Sequence, residues 1–280
     1  MRPSVERFAA RTPTLPPATH TNSYAIGSRE VVLVEPATPY AEEQRAWLDW
    51  ARALPSTGRT PVAIVVTHYH PDHVGGVDVF SRELGLPVWA HEETARRVPL
   101  RLGRSLAEGD SLVLDGPTPE AWRVLHTPGH APDHLCLFEP SQGAAVVGDM
   151  VASVGTILVA PGDGDMRLYL EQLARLARLD ARVAFPAHGD PIPDPSALFA
   201  QYIEHRLLRE SKVLTALRKR RGAATAQELV PDAYDDVLPA VWPLAVLSLT
   251  SHLTKLVAEG RAHISVDGPD ARYSAAEEIP

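Results

Sequence analysis

The stretch Thr67-His68-Tyr69-His70-Pro71-Asp72-His73-Val74-Gly75-Gly76 closes a run of apolar, largely β-branched residues at 62–67. That run is long enough for a buried strand and too short for a helix. His68 and His70 are two apart, so at a strand end they project to one side while Tyr69 points away. Pro71 ends the extended stretch, Asp72 and His73 fall in a turn entering a helix, and Gly75-Gly76 permits close backbone packing. Three further residues of the same chemistry follow: His130 in Thr127-Pro128-Gly129-His130, Asp149 after the apolar run ending at Gly148, and His188 in Pro186-Ala187-His188-Gly189. Each lies at the C-terminal end of a predicted strand or in the loop beyond it, where α/β layouts put active sites. A lone loop histidine is more often solvated or satisfied in a core than a ligand, and Asp149 alone reads as an ordinary turn aspartate. Together they resist that reading, because folding gains little from burying five imidazoles and two carboxylates unless something offsets their desolvation. With twelve histidines and a single cysteine, a transition-metal site here must use nitrogen and oxygen ligands.

Working outward, the segment to about Pro17 is rich in Pro, Thr and Arg without periodicity and reads as a loosely held arm. Residues 23–27 and 30–35 read as a hairpin of short strands, and 41–54 as an amphipathic helix with Trp47, Trp50 and Leu54 on one face. Strand and helix signals then alternate to about residue 186, which predicts helices layered on sheets. From about Asp194 the chain turns helical, through Arg221, then 225–230 and 239–259, where Val246, Leu249, Leu253 and Leu256 form an apolar stripe ending at Gly260. Two short strands around Asp267-Gly268-Pro269-Asp270 follow, so three helices and a hairpin describe a winged-helix module. The expected division is 1–193 and 194–280.

At 280 residues the chain can bury one large core, or one medium core with an appendage. No stretch approaches the roughly 18 apolar residues of a membrane-spanning helix, the N-terminus scatters charges where a secretory signal needs an apolar run, and one cysteine cannot close a disulfide within the chain. These features predict a reduced, cytoplasmic protein without membrane insertion. A net charge of -8 argues against coating nucleic acid by charge alone.

The histidine and aspartate set resembles the metallo-β-lactamase superfamily, in which HxHxDH is followed by a later His, an Asp and a final His. The resemblance spans residues 23–193 and implies an αββα sandwich. It implies that His68, His70 and His130 bind one divalent metal and Asp72, His73 and His188 a second, with Asp149 bridging. Zinc suits these ligands first, with iron or manganese as alternatives. It further implies a hydrolase using a metal-bridging hydroxide, with Asp72 orienting the water and accepting its proton. Zinc β-lactamases generally use a cysteine ligand, whereas Cys136 lies inside a predicted strand. Flavo-diiron enzymes carry an acid where His70 stands, and the stretch between Asp149 and His188 is too short for the nuclease insertion of messenger-RNA processing enzymes. Glyoxalase II ends in a different helical region.

The chain further resembles the β-lactamase-like protein 2 group, through Thr21-Asn22-Ser23-Tyr24, His130-Ala131-Pro132-Asp133-His134, Pro186-Ala187-His188-Gly189 and Leu253-Thr254-Lys255-Leu256-Val257-Ala258-Glu259-Gly260-Arg261. That likeness implies either a hydrolase of ester-type bonds, thioester or lactone, on small or carrier-bound acyl substrates, or a single-strand endoribonuclease. A third reading is a non-catalytic, metal-stabilised binding module, and a homodimer is compatible with all three. His134 is a candidate either to orient a metal ligand or to contact substrate, and Thr156, in the glycine-containing stretch 152–165, is a candidate substrate contact. Arg218, Lys219, Arg220 and Arg221 form one basic cluster, either a solvated helix end or a contact for an RNA backbone.

Overall fold

The computed structural model of the chain describes residues 4–220, 222–266 and 271–276. Its first sheet has six strands in spatial order β1 (Val5–Arg11), β2 (His20–Ile26), β3 (Glu30–Val34), β4 (Thr60–Val65), β5 (Val88–Ala90) and β6 (Arg104–Ser105). The β1–β2–β3 meander is antiparallel and β3 to β6 run parallel. The second sheet has the order β12 (Ile192–Pro193), β11 (Val183–Pro186), β10 (Ala144–Gly148), β9 (Leu135–Glu139), β8 (Glu120–His126) and β7 (Ser111–Leu114), with only β10 and β11 parallel.

Alternation along these strands builds three layers of core. In β3, Val32 and Val34 face inward with Tyr24, Val65, Leu135, Leu137 and Val146, filling the space between the sheets. Val31 and Leu33 face outward and are covered by α1 (Ala41–Ala53) and α3 (Val77–Leu84), where the Trp47 and Phe80 rings stack at 3.9 Å. On the far side Cys136, Phe138, Ala145 and Val147 are covered by α5 (Met166–Leu176) through Met166, Tyr169 and Leu173. The result is the expected αββα sandwich. Three short elements complete its surface: α2 (Pro71–Val74), α4 (Glu92–Arg97) and a 3-10 turn at Leu54–Thr57.

The expected loose arm is corrected. Val5–Arg11 is a full edge strand paired along seven residues of β2, because Phe8 covers Trp50 by stacking at 5.4 Å while backbone pairing supplies the rest.

Beyond the sandwich, α6 (Pro195–Lys219), α7 (Ala226–Ala233), α8 (Trp242–Ala258), β13 (Ala262–Val266) and β14 (Arg272–Ala275) form the C-terminal module. Its own core gathers Val213, Leu217, Leu229, Leu249, Leu253 and Leu256. The helix α7 opens on a capping box, Thr225 with Glu228. Contrary to the sequence expectation, Pro239–Ala258 reaches the length and composition of a membrane-spanning helix, with 20 residues and a mean hydropathy of 1.3 over its window. Here one face of it is the centre of the module's core, with Leu249, Leu253 and Leu256 fully enclosed. The expected turn at 267–270 lies outside the described residues.

Glu210 on α6 ties the module together: Lys255 on α8 and Arg261 beyond it reach its two carboxylate oxygens at 2.8 and 2.7 Å. Burial would raise this carboxyl, but His252, Lys255 and Arg261 hold it down to about 2. Removing one partner of such a buried group leaves the others uncompensated. Glu210→Gln is expected to lower unfolding free energy by roughly 3 kcal/mol in chemical denaturation. Because the folded value is depressed, the contribution is present above the ordinary glutamate value and is lost as pH falls from there through about 2. The variant should therefore match the parent at the acid end of a stability profile.

Candidate metal centre

Parallel strands place their C-terminal ends on one edge. The chain leaves β4 at Val65 and reaches His68, His70, Asp72 and His73; it leaves β10 at Gly148 and reaches Asp149, and leaves β11 at Pro186 and reaches His188. Because β8 and β10 both run antiparallel to β9, the β8–β9 connection carrying His130 opens at the same edge. The backbone N–H of Leu135 donates to the Thr67 carbonyl at 2.9 Å and that of Asn22 to the Ala187 carbonyl at 2.8 Å, so the two sheets are bonded together where the site forms.

All seven residues named from the sequence are brought together. His70 Nδ1 lies 3.0 Å from both His68 Nε2 and His130 Nε2, which makes one trio. Asp72 Oδ2 lies 3.6 Å from His188 Nε2 and 3.8 Å from His73 Nε2, which makes a second. Asp149 stands between them, with Oδ1 at 3.4 and 3.7 Å from His188 and His73 and Oδ2 at 3.5 Å from His130.

The outward-facing atoms fix which nitrogens face inward. A carbonyl can only accept, so His130 donates through Nδ1–H to Leu158 O at 2.8 Å and His188 through Nδ1–H to His20 O at 2.9 Å, which turns each Nε2 toward the centre. His70 does the converse, donating through Nε2–H to Asp163 Oδ2 at 2.6 Å and keeping Nδ1 free. His68 donates through Nδ1 to Thr67 Oγ1 at 3.0 Å, whose own hydroxyl donates to Glu35. Inside the cluster both ring nitrogens of His73, Asp149 Oδ1 and Glu35 Oε2 are buried without a hydrogen-bond partner. Such orphans cost about 1–3 kcal/mol each, and convergent lone pairs and carboxylate oxygens fit divalent cations. Burial drives His68 well below the ordinary histidine range and His130 down to about 4, so both are neutral and suited to ligation. Burial would raise Asp149, but His188 and His73 hold it well below the usual carboxylate range.

Two backbone features aim these groups. Gly148 lies at φ 48, and a Cβ there would sit 2.5 Å from His134 Nε2. Glu35, directly after β3, lies at φ 63, a conformation that strains a residue with a Cβ by about 1–2 kcal/mol.

Other candidates from the sequence fare differently. His134 is fully buried and away from the pocket; its Nε2 accepts the Asp149 N–H at 3.0 Å and its Nδ1–H donates to Thr127 at 2.7 Å. The substrate-contact alternative is thereby overturned, because no surface of the ring is open to a ligand. Thr156 does line the pocket. At the basic cluster, Arg220 is engaged with Asp232 at 3.1 Å and with the Glu228 carbonyl, Arg218 and Lys219 are exposed, and Arg221 lies outside the described residues. Cys136 is buried and its thiol is pushed up to about 12, so it is neither thiolate ligand nor nucleophile.

The sequence reading missed Glu35 and Asp163. Glu35 carried the signal that marked Asp149, a lone acid at the end of an apolar strand. Asp163 sits in a loop with no periodicity and had no comparable signal.

The family model of the metallo-beta-lactamase superfamily matches residues 16–188, and that of the beta-lactamase associated winged helix domain matches residues 225–267. The chain belongs to the metallo-beta-lactamase superfamily. Its relatives include an atrochrysone carboxyl ACP thioesterase from Aspergillus chevalieri, 32% identical over 97% of this chain and 86% of that one. A beta-lactamase-like protein 2 homolog from Drosophila melanogaster is 27% identical over 96% of this chain and 93% of its own. Among solved structures, a metallo-beta-lactamase family protein from Thermus thermophilus aligns with a TM-score of 0.79 at 25% identity, covering 97% of this chain and 98% of that one. A beta-lactamase domain protein from Burkholderia ambifaria shares the fold at a TM-score of 0.82 and 21% identity, covering 98% and 91%. As a metallo-beta-lactamase superfamily hydrolase, the protein presents a divalent-metal site at the edge where its two sheets meet.

Two outcomes follow for this superfamily member. Asp163→Ala should weaken Zn²⁺ affinity about tenfold, read by competition with a chromophoric chelator, because His70 loses the acceptor that fixes its ring. Burial would lower His188 and His73, but neighbouring carboxylates raise both above the ordinary histidine value, so the metal-free site holds protons near neutrality. Metal uptake must displace them. Zn²⁺ affinity should therefore fall as pH drops through neutrality, by about tenfold per pH unit for each proton displaced, with matching proton release in weakly buffered solution.

Proposed function

We propose that the protein is a dinuclear-metal hydrolase of an ester-type bond, thioester or lactone, in a small or carrier-bound acyl substrate. One observation carries the choice of substrate. The pocket over the centre, a cavity of about 240 Å³, is walled by Pro13, Leu15, Pro17, Val154 and Ile157 above and by His70, Asp72, Asp149 and Asp163 below, with no lysine or arginine among its described lining residues. An apolar wall welcomes an acyl chain or ring, whereas the phosphates of a polyanionic backbone beyond the metal centre would meet no basic side chain among the described lining residues. The thioesterase relative supports the same class.

In this reading His68, His70 and His130 would hold one ion and Asp72, His73 and His188 the other, with Asp149 available to both. The all-nitrogen-and-oxygen donor set suits zinc, with iron or manganese as alternatives. When bound, such ions lower the pKa of water and polarise the carbonyl under attack. The protein's own residues do the rest. Asp72 borders the pocket and is placed to orient the attacking water and accept its proton. Asp163 and the Leu158 and His20 carbonyls keep the imidazoles in the required tautomers. Leu15 and Val154, 47% and 37% exposed, form an apolar lip for the acyl portion.

The endoribonuclease alternative has less support. Lys219 lies thirteen residues beyond Arg206, which contacts the pocket loop, or about 20 Å along the helix axis. A purely binding role leaves the open pocket over five candidate ligands without purpose.

Zn²⁺-loaded protein assayed on acyl thioesters, lactones and labelled single-stranded RNA decides among these. Turnover of an acyl substrate, reduced by roughly 100-fold or more in Asp149→Ala, is expected. RNA cleavage that disappears in that variant, with acyl substrates untouched, would replace this reading with the nuclease. Leu15→Asp or Val154→Asp should raise KM for a long-chain acyl thioester about tenfold while Zn²⁺ affinity stays unchanged.

A further inference from the structure

Three consecutive carbonyls in the loop after β10 divide their loyalties. The Ile157 carbonyl accepts from the Arg206 guanidinium on α6, and the Val159 carbonyl accepts from Ser251 Oγ on α8 at 2.7 Å. Between them, the Leu158 carbonyl accepts from His130 Nδ1 at 2.8 Å. The three carbonyls thus have three different donors, and fixing the first and third holds the peptide that carries the second between them. The side chains alternate: Ile157 and Val159 are buried in the core, while Leu158 borders the pocket.

We infer that the C-terminal module positions a metal ligand of the catalytic sandwich, with Arg206 and Ser251 as positioning residues for His130. The inference rests on the metal-centre reading above. Arg206 is 3% exposed, lies over the Tyr169 ring at 5.6 Å, and also reaches Thr156 Oγ1 at 3.4 Å. Its Nε is buried without a partner, and among the described residues no carboxylate pairs with it. A guanidinium buried on these terms is a poor stabiliser compared with an apolar residue of the same volume. Holding a loop carbonyl at a defined point is what it does here that such a residue cannot. Tyr202 on α6 anchors the start of the same loop, its hydroxyl bonding the backbone N–H of Ala152 at 3.2 Å and its carbonyl at 3.1 Å.

The test compares Arg206→Met, Arg206→Lys and Ser251→Ala with Arg209→Met. Arg209 lies on the same helix and is also buried, but its partners are Asp236 and the Ala233 carbonyl inside the module. Zn²⁺ affinity is read by chelator competition, and the ligand field by the visible absorption of Co²⁺-substituted protein. Arg206→Met and Ser251→Ala should each lose about tenfold in Zn²⁺ affinity and alter the Co²⁺ bands, and Arg206→Lys should recover part of both. Arg209→Met should lower Tm and leave affinity and spectrum unchanged. Wild-type affinity and spectrum in Ser251→Ala and Arg206→Met would overturn the inference, as would an equal loss in Arg209→Met; if Arg206→Met does not fold, Ser251→Ala decides. A wild-type protein that binds no Zn²⁺ would overturn the metal-centre reading itself.

Discussion

Asp149 is the constraint around which the rest is arranged. A buried carboxylate must be compensated on every side, and this one offers each oxygen to a different group of imidazoles. Satisfying it requires loops from β4, β8, β10 and β11 to end within a few ångströms of one another, which two sheets stacked face to face and hydrogen-bonded to each other beside the site supply. The strained φ at Glu35 and the glycine at 148 are local costs of that convergence. His134, far inside the sandwich, contributes by receiving the Asp149 backbone N–H, so the turn is fixed from behind before any ligand arrives.

Much of this was legible because the chemistry is written in short segments. HxHxDH after a β-branched strand gives the ligands, their sidedness and their place at a strand end at once. The same holds for Asp149 and His188, each one or two residues past an apolar run. The order of strands and helices followed from period-2 and period-3.6 patterns, and the helices of the C-terminal module from their stripes and breakers.

What stayed hidden depends on residues distant in sequence. Val5–Arg11 alternates weakly and looks like an arm; it is a strand because β2 offers an edge and Trp50 offers a ring for Phe8. The segment Pro239–Ala258 is apolar enough to suggest a bilayer, and only its packing against α6 and α7 makes it the core of a small module. Asp163 gains its meaning from a histidine some ninety positions earlier. Hydrogen bonds across such separations leave no local periodicity to read.

The connection Pro13–Ala18, between β1 and β2, forms one wall of the pocket yet supplies none of the seven candidate ligands. The hydrolytic centre and the surface that meets the substrate's tail are therefore encoded by separate stretches of chain. A lineage can exchange this proline-rich connection, altering which acyl groups are admitted, while every imidazole and carboxylate stays where it is.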